Sequence, residues 1–221
     1  MTNGLRIIVA FFGLLTAYAA IGLYFRWQIF EDIWPWKGYS NQLSPLSFFF
    51  LSSIAAAISA PLLWLAATTK FRAAAGGAVN LILTFSAAAV LMFKGFASDP
   101  TNTRLLVGAL GATASVIFTA FVLFKVRRMP FHNHAPAPRI VRISFVAFVV
   151  ALIAVGSALV LKVPNILPWS LTPEASVIYG WIFLGAACYF IVGLRTPLWE
   201  NSTGQLLGFL AYDAVLILPF I

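Results

Sequence analysis

Residues 33–45 read IWPWKGYSNQLSP, and a shorter echo, ILPWSLTP, returns at residues 166–173. Both stretches separate two long apolar runs, and both end on a hydroxyl residue followed by proline, Ser44-Pro45 and Thr172-Pro173. That pair is a helix-start signal: the hydroxyl can cap free N–H groups, and the fixed φ of proline suits the first turn. Each stretch therefore reads as a polar break after which an apolar helix begins.

Seven apolar runs approach the roughly 20 residues that a helix needs to cross a hydrocarbon core about 30 Å thick. They cover residues 7–25, 46–67, 73–93, 105–124, 143–161, 175–194 and 204–221. The composition requires such a solvent. Hydrophobic residues make up 62% of the chain and charged residues 9%, against about 45–50% and 25% in soluble domains. A water-soluble fold would lack polar cover for its own exterior. None of the runs alternates polar and apolar residues as a membrane barrel strand does, so helices remain as the spanning structure. The expected fold is an all-α, polytopic membrane helix bundle of about seven transmembrane helices. The last run is the shortest and contains Asp213. Near the start, Ala17-Tyr18-Ala19 resembles a signal-peptidase site, but the apolar run continues to Phe25 before Arg26 stops it, so an uncleaved first span is expected.

The net charge of +8 is carried in short breaks between the runs. That placement fits anionic lipid rather than nucleic acid, and the lipid bilayer is the first partner expected. With seven spans, one side collects Arg6, Lys70, Arg72, Lys125, Arg127, Arg128, Arg139, Arg142 and Arg195, nine cations against five on the other. The bias places the N-terminus in the cytoplasm and the C-terminus outside, in a plasma membrane of bacterial type. Both Pro-Trp segments then lie on the outer face, with Trp34, Trp36 and Trp169 as interfacial aromatics whose indole N–H stays wet.

A shift of 128 residues carries Ser44-Pro45 onto Thr172-Pro173 and Gly76 onto Gly204. Fixed-period similarity of this kind reports architecture. The expected organisation is a parallel internal repeat of four plus three helices: residues 1–128, a cytoplasmic linker at 129–139, and residues 140–221. The fourth run has no counterpart within the sequence. Small residues at four-residue spacing, Gly204 with Gly208, Gly108 with Ala112 and Gly111 with Ser115, let helices approach closely in lipid.

Asp213 is the sharpest candidate for function. An ionised carboxylate inside an apolar run must be protonated, face a wet cavity or be paired, and no Lys or Arg lies at its depth. Its candidate hydrogen-bond partners are Tyr212, Gln205, and Asn80 or Thr84 on the third run; together these five residues form the expected intramembrane polar site. The competing account is a structural bond between helices. Ser52, Ser53, Ser59 and Ser86 could line a polar path, although hydroxyls in apolar helices usually bond backbone carbonyls. Pro61 should kink the second span. His132-x-His134 sits in a linker without further ligands nearby, so a solvated segment is the better reading than zinc. Glu31 and Asp32 are adjacent and would point apart on a helix. Glu174 suits the dipole at the start of the sixth span, Glu200 and Arg195 bracket an ordinary interfacial loop, and Cys188 reads as a small buried side chain.

Neither a P-loop, nor a zinc-protease motif, nor a serine-hydrolase elbow occurs. The last run has no lysine for a retinal Schiff base, and the runs contain no histidine for haem, so the cofactor is left unassigned. Three functions compete. The first is a non-catalytic accessory or scaffold protein that binds lipid or other membrane subunits. The second is a small proton- or cation-coupled transporter or channel using Asp213. The third, and weakest, is an enzyme acting on lipid-linked substrates through Glu31, Asp32 or Glu174.

Overall fold

The computed structural model describes residues 2–35 and 44–221; Trp36 lies outside them. Eight helices follow in chain order: α1 (Thr2–Tyr24), the short α2 (Gln28–Asp32), α3 (Pro45–Thr68), α4 (Ala74–Ser98), α5 (Thr103–Val126), α6 (Arg139–Val160), α7 (Pro173–Arg195) and α8 (Trp199–Ile217). A 3-10 turn, Phe71–Ala73, leads into α4, and a second, Leu218–Phe220, follows α8. Six segments are long and apolar enough to cross a membrane: Asn3–Tyr24, Pro45–Thr68, Phe71–Ser98, Thr103–Val126, Arg139–Val160 and Pro173–Arg195. The outward faces of these helices carry bare hydrocarbon, including Ile7, Val107, Ile117, Ile140 and Val150, all exposed. Water would not tolerate a continuous surface of that kind, whereas lipid does. The seventh expected span is α8. Its 19 residues have sufficient length, but Glu200, Asn201, Gln205 and Asp213 make it less apolar than the other six.

Helix boundaries follow local chemistry. Pro45 and Pro173 open α3 and α7, and the Thr172 hydroxyl accepts the Ala175 amide at 3.1 Å. Ser44 makes no such side-chain bond; its carbonyl accepts the Ser47 amide instead. At the far end of α1, the Trp27 amide reaches back to the Gly22 carbonyl (2.8 Å) and the Arg26 amide to Leu23 (3.1 Å), with Arg26 in the left-handed region at φ 53°. The end of α6 is closed the same way. Val163 donates to Ala158 (2.9 Å), Lys162 to Leu159 (3.0 Å), and Lys162 has φ 59°. This double closure satisfies carbonyls that the last helical turn would otherwise leave open.

Packing departs from chain order. α1 lies on α3 and α6 on α7, as neighbours should, but α4 leaves α3 and packs on α7, and α8 leaves α7 and packs on α3. α5 then covers α4. The hydroxyls of Ser52, Ser53 and Ser59 bond backbone rather than lining a path: Ser53 donates to Phe50 within α3, Ser52 to the Ala20 carbonyl (2.7 Å) and Ser59 to the Gly13 carbonyl (2.8 Å), the last two on α1. On α7, Ser176 donates to the Leu159 carbonyl of α6 (2.7 Å). Two apolar clusters fill the interior. One, around Phe50, Leu105, Leu159, Ile178 and Tyr179, sits toward the Pro-Trp segments, with Trp34 and Trp169 packed against it. The other, around Leu65, Phe71 and Val126, lies at the opposite end.

The tightest crossing is between α6 and α7. A Cβ on Gly156 would stand 2.9 Å from the Gly180 carbonyl, and one on Gly180 would stand 2.7 Å from the Gly156 carbonyl. Backbone cannot yield as a flexible side chain does. Gly180→Leu is therefore expected to cost about 1–3 kcal/mol through overpacking. Gly111→Leu, with nothing within 4 Å of its Cβ position, should stay within about 0.5 kcal/mol of the parent. Thermal unfolding in detergent, followed by tryptophan fluorescence, reads the difference, and equal midpoints would refute this crossing.

Candidate functional site

The five polar residues expected to share one intramembrane site are distributed over three interfaces. On α4, the Thr84 hydroxyl lies 3.2 Å from Asn80 Oδ1 and 3.4 Å from the Trp181 carbonyl of α7. Gly185 of α7 makes room for this pair, since a Cβ there would meet Asn80 and Thr84. Gln205 is enclosed on α8, and its Nε2 donates to the Tyr189 carbonyl at 2.6 Å. Gly193 of α7 leaves space for the Gln205 amide. Tyr212 turns to α3, where its hydroxyl meets Ser53 and its ring stands edge-on to Phe50 at 6.4 Å. Asp213, the next residue, is half-buried, and among the described residues it makes no hydrogen bond or ion pair. Thr84 with Asn80 thus meets α7, Tyr212 meets α3 and Gln205 ties α8 to α7, and the carboxylate stands apart from them.

The densest polar group lies elsewhere, on the first turns of α8. Glu200, Asn201, Ser202 and Gln205 are all at most 2% exposed. Glu200 Oε2 accepts the backbone amides of His132 and Asn133, each at 2.9 Å, and Oε1 stands 3.7 Å from His132 Nδ1. Two further bonds bind the same linker to the entry of α8: Ala137 N–H to the Pro197 carbonyl and Trp199 N–H to the Ala135 carbonyl, both 2.8 Å. Arg72, just before α4, covers the Phe131 ring at 5.0 Å. Residues 132–136 of the linker are exposed, as expected of a solvated segment, whereas the expectation of an ordinary interfacial Glu200 is corrected here. A buried carboxylate is tolerable because amide donors supply the stabilisation that water would have given. The sequence signal for this clamp was slight: one acidic residue in the first turn of a helix, which the helix dipole alone already explains.

The remaining candidates are committed to structure. Glu31 pairs with Arg26 at 2.9 Å, and Arg26 also covers Phe48 at 5.4 Å. Glu174 lies exposed in the first turn of α7, and Cys188 is half-buried. The indole nitrogen of Trp169 is enclosed by protein rather than wet, because its ring is drawn inward against Phe50 at 6.2 Å. Pro61 lies within α3 against Gly208 of α8. Among the described residues, no three His, Cys, Asp or Glu side chains gather as a metal site would need. Two surface grooves among the described residues are shallow. One is lined by Asn3, Arg6, Ile7 and Ala10, the other by Arg139, Arg142, Ile143, Val146 and Leu194.

No protein-family model, no curated protein and no solved structure matches the chain.

The Glu200 clamp is directly testable. Hydrogen bonds to a charged acceptor contribute about 1.5–3 kcal/mol each. Glu200→Ala should therefore speed hydrogen exchange at the His132 and Asn133 amides by about 10–100-fold, with little change in the middle of α6. Unchanged protection at those two amides would show that the carboxylate does not hold the linker.

Proposed function

We propose that this chain is a non-catalytic membrane scaffold: two interlocked parallel repeats that together present helix faces to lipid and to other membrane subunits. The reading is supported by a correspondence of packing in register. Gly185 of α7 lies against Asn80 of α4, and shifting both by 128 residues in opposite senses gives Ala57 of α3 and Gly208 of α8, which also touch. The same operation takes Thr84 with Trp181 onto Tyr212 with Ser53, again a contacting pair. For α1 and α6 the shift is 136. It maps Gly22, Leu23, Arg26 and Trp27 onto Ala158, Leu159, Lys162 and Val163, the residues that close the two helices. The same shift maps Asn3, Arg6, Ile7 and Ala10 onto Arg139, Arg142, Ile143 and Val146, so the two surface grooves are equivalents. The extra eight residues are accounted for by the connection at 25–44, which exceeds that at 161–172 by this amount and contains α2.

In this reading residues 1–128 form the first repeat, 129–139 the linker and 140–221 the second repeat, with α8 as the seventh span. The Lys/Arg bias orients the N-terminus and the linker toward the cytoplasm of a bacterial-type cell, and the C-terminus outward. A scaffold role follows from where the polar side chains go. Asn80, Thr84, Gln205, Tyr212 and Glu200 are spent on holding helices and linker together.

Two measurements test the proposal. In a Cys188→Ser background, single cysteines replacing Trp27, Val163 and Ile221 should label from one side of sealed membranes, and one replacing Arg128 from the other. Labelling of 27 and 163 from opposite sides would remove the repeat, and labelling of 221 with 128 would remove the seventh span. In proteoliposomes, proton flux should equal that of empty vesicles and be unmoved by Asp213→Asn. A flux that this substitution abolishes would replace the scaffold by a transporter.

A further inference from the structure

The cations at the linker end of the bundle are not equivalent. Leu5, Leu65, Phe71, Val126 and Met129 pack together there, and nine Lys and Arg face one carboxylate, the enclosed Glu200. Five of the nine are committed to aromatic rings: Lys70 to Trp64, Arg72 to Phe131, Lys125 to Phe121, and Arg127 and Arg128 to Phe124. Arg195 stands in the last turn of α7, where the helix dipole favours a cation. Arg6, Arg139 and Arg142 have neither an ion pair nor an aromatic ring among the described residues. These three are the cations that line the two surface grooves.

Arg139 and Arg142 also stand against the local field. They lie at the start of α6, whose first turn has no acid and whose N-cap, Pro138, makes no side-chain bond. The amides of residues 139–141 precede the first intrahelical bond, from the Arg142 amide to the Pro138 carbonyl at 3.2 Å. Such a helix start disfavours a cation and favours an anion. Farther along the same groove come Ile143 and Val146, 65% and 52% exposed, with Leu194 of α7 as the other wall. Spacings of three and four residues keep the four α6 side chains in one stripe, two guanidiniums followed by hydrocarbon.

Resting on the scaffold reading for its place in lipid, we propose that this groove binds one anionic phospholipid: Arg139, Arg142 and the uncapped amides of α6 hold the phosphate, and Ile143, Val146 and Leu194 carry the start of an acyl chain. A guanidinium pairs its fork of N–H donors with phosphate oxygens. A choline headgroup would bring its own cation to the two arginines, so the lipid is one of net negative charge, such as phosphatidylglycerol. Free phosphate would satisfy the arginines but leave the apolar walls uncovered, so the anion comes from lipid. The groove on α1 offers one arginine beside Asn3 and is the weaker of the two.

The test uses the full chain in detergent, with native mass spectrometry counting bound lipid as phosphatidylglycerol or phosphatidylcholine of identical chains is titrated. The first phosphatidylglycerol should bind saturably and in preference to phosphatidylcholine. Arg139→Gln with Arg142→Gln should weaken its binding about 25-fold, from roughly fivefold for each arginine beside anionic lipid. Arg127→Gln with Arg128→Gln removes the same charge from the same end, but from guanidiniums seated on Phe124, and should weaken binding less than about threefold. Leu194→Trp, which fills the groove and keeps both arginines, should also weaken it, so the site is tested even where the double arginine variant fails to fold. Equal retention of the two lipids, or equal weakening by the two arginine pairs, overturns the site. Displacement of bound phosphatidylglycerol by an equal concentration of inorganic phosphate overturns the lipid source in favour of a free anion. Cysteine labelling that supports the repeat while the two lipids bind alike removes the site and leaves the scaffold; failed labelling with selective lipid binding removes the repeat and leaves the site.

Discussion

Every helix in this bundle is held at backbone distance by α3 or α7, or by a helix that one of them holds. In lipid, apolar side chains gain little by leaving hydrocarbon for protein, so association depends on close van der Waals fit and hydrogen bonds between helices. The structure meets that demand with small residues at each crossing. Ser52 and Ser59 reach carbonyls of α1, Gly180 meets Gly156 of α6, Gly185 admits Asn80 of α4, and Ala57 meets Gly208 of α8. Larger residues at these points would separate the helices and leave the hydroxyls and amides facing oil. Because each spine helix binds the third helix of the other half, neither half closes its packing alone. Interlocking, rather than the length of any span, makes the chain one unit.

Much of the architecture was legible in the sequence. The apolar runs marked the approximate bounds of the long helices, six of which are long and apolar enough to cross a membrane, and Ser44-Pro45 and Thr172-Pro173 marked the first turns of α3 and α7. The proposed repeat rests in sequence on those caps and on a shift of 128, whereas α1 and α6 correspond under a shift of 136. A single shift of 128 ignores α2, which lengthens the first connection only, and so Arg6-Ile7 was not set against Arg142-Ile143. The left-handed residues that end α1 and α6 were also hidden, since Arg26 and Lys162 carry none of the glycine signal by which such a closure is usually recognised. The crossing of α4 and α8 to opposite halves could not be read at all. Short connections imply neighbours, and here the turns after α3 and α7 lead away from the preceding helix.

The candidate site was legible in residue types but not in grouping. Thr84, Gln205 and Tyr212 are polar side chains in apolar runs, each with a partner on another helix, while Asn80 accepts from Thr84 within α4 where Gly185 of α7 leaves it room. Glu200 was misjudged because its partners are main-chain amides 67 and 68 residues away. Backbone amides have no sequence signature. Burial of a carboxylate by a linker rich in proline therefore shows only in three dimensions.

The polarity of α8 now has a physical cause. Hydropathy ranks this helix below the six others because of Glu200, Asn201, Gln205 and Asp213. Three of these are at most 2% exposed, on turns enclosed by α7, the linker and the residues before α4. An enclosed helix can carry polar groups that a lipid-exposed one cannot, provided the neighbours answer them. On its first turns they do so in part, through the amides of His132 and Asn133 and the carbonyls of Thr196 and Tyr189, while Glu200 Oε1, Asn201 Oδ1, Ser202 Oγ and Gln205 Oε1 have no hydrogen-bond partner among the described residues. Three turns later no neighbour answers, and there the helix presents Leu210, Ala214 and Ile217 to its surroundings with a carboxylate among them. A purely lipid-facing stripe would need no acid, and a purely structural acid would have its partner within the chain. Asp213 thus stands on the face of α8 that the described helices leave open, beside Leu210, Ala214 and Ile217, and apart from the enclosed polar groups of the first turns.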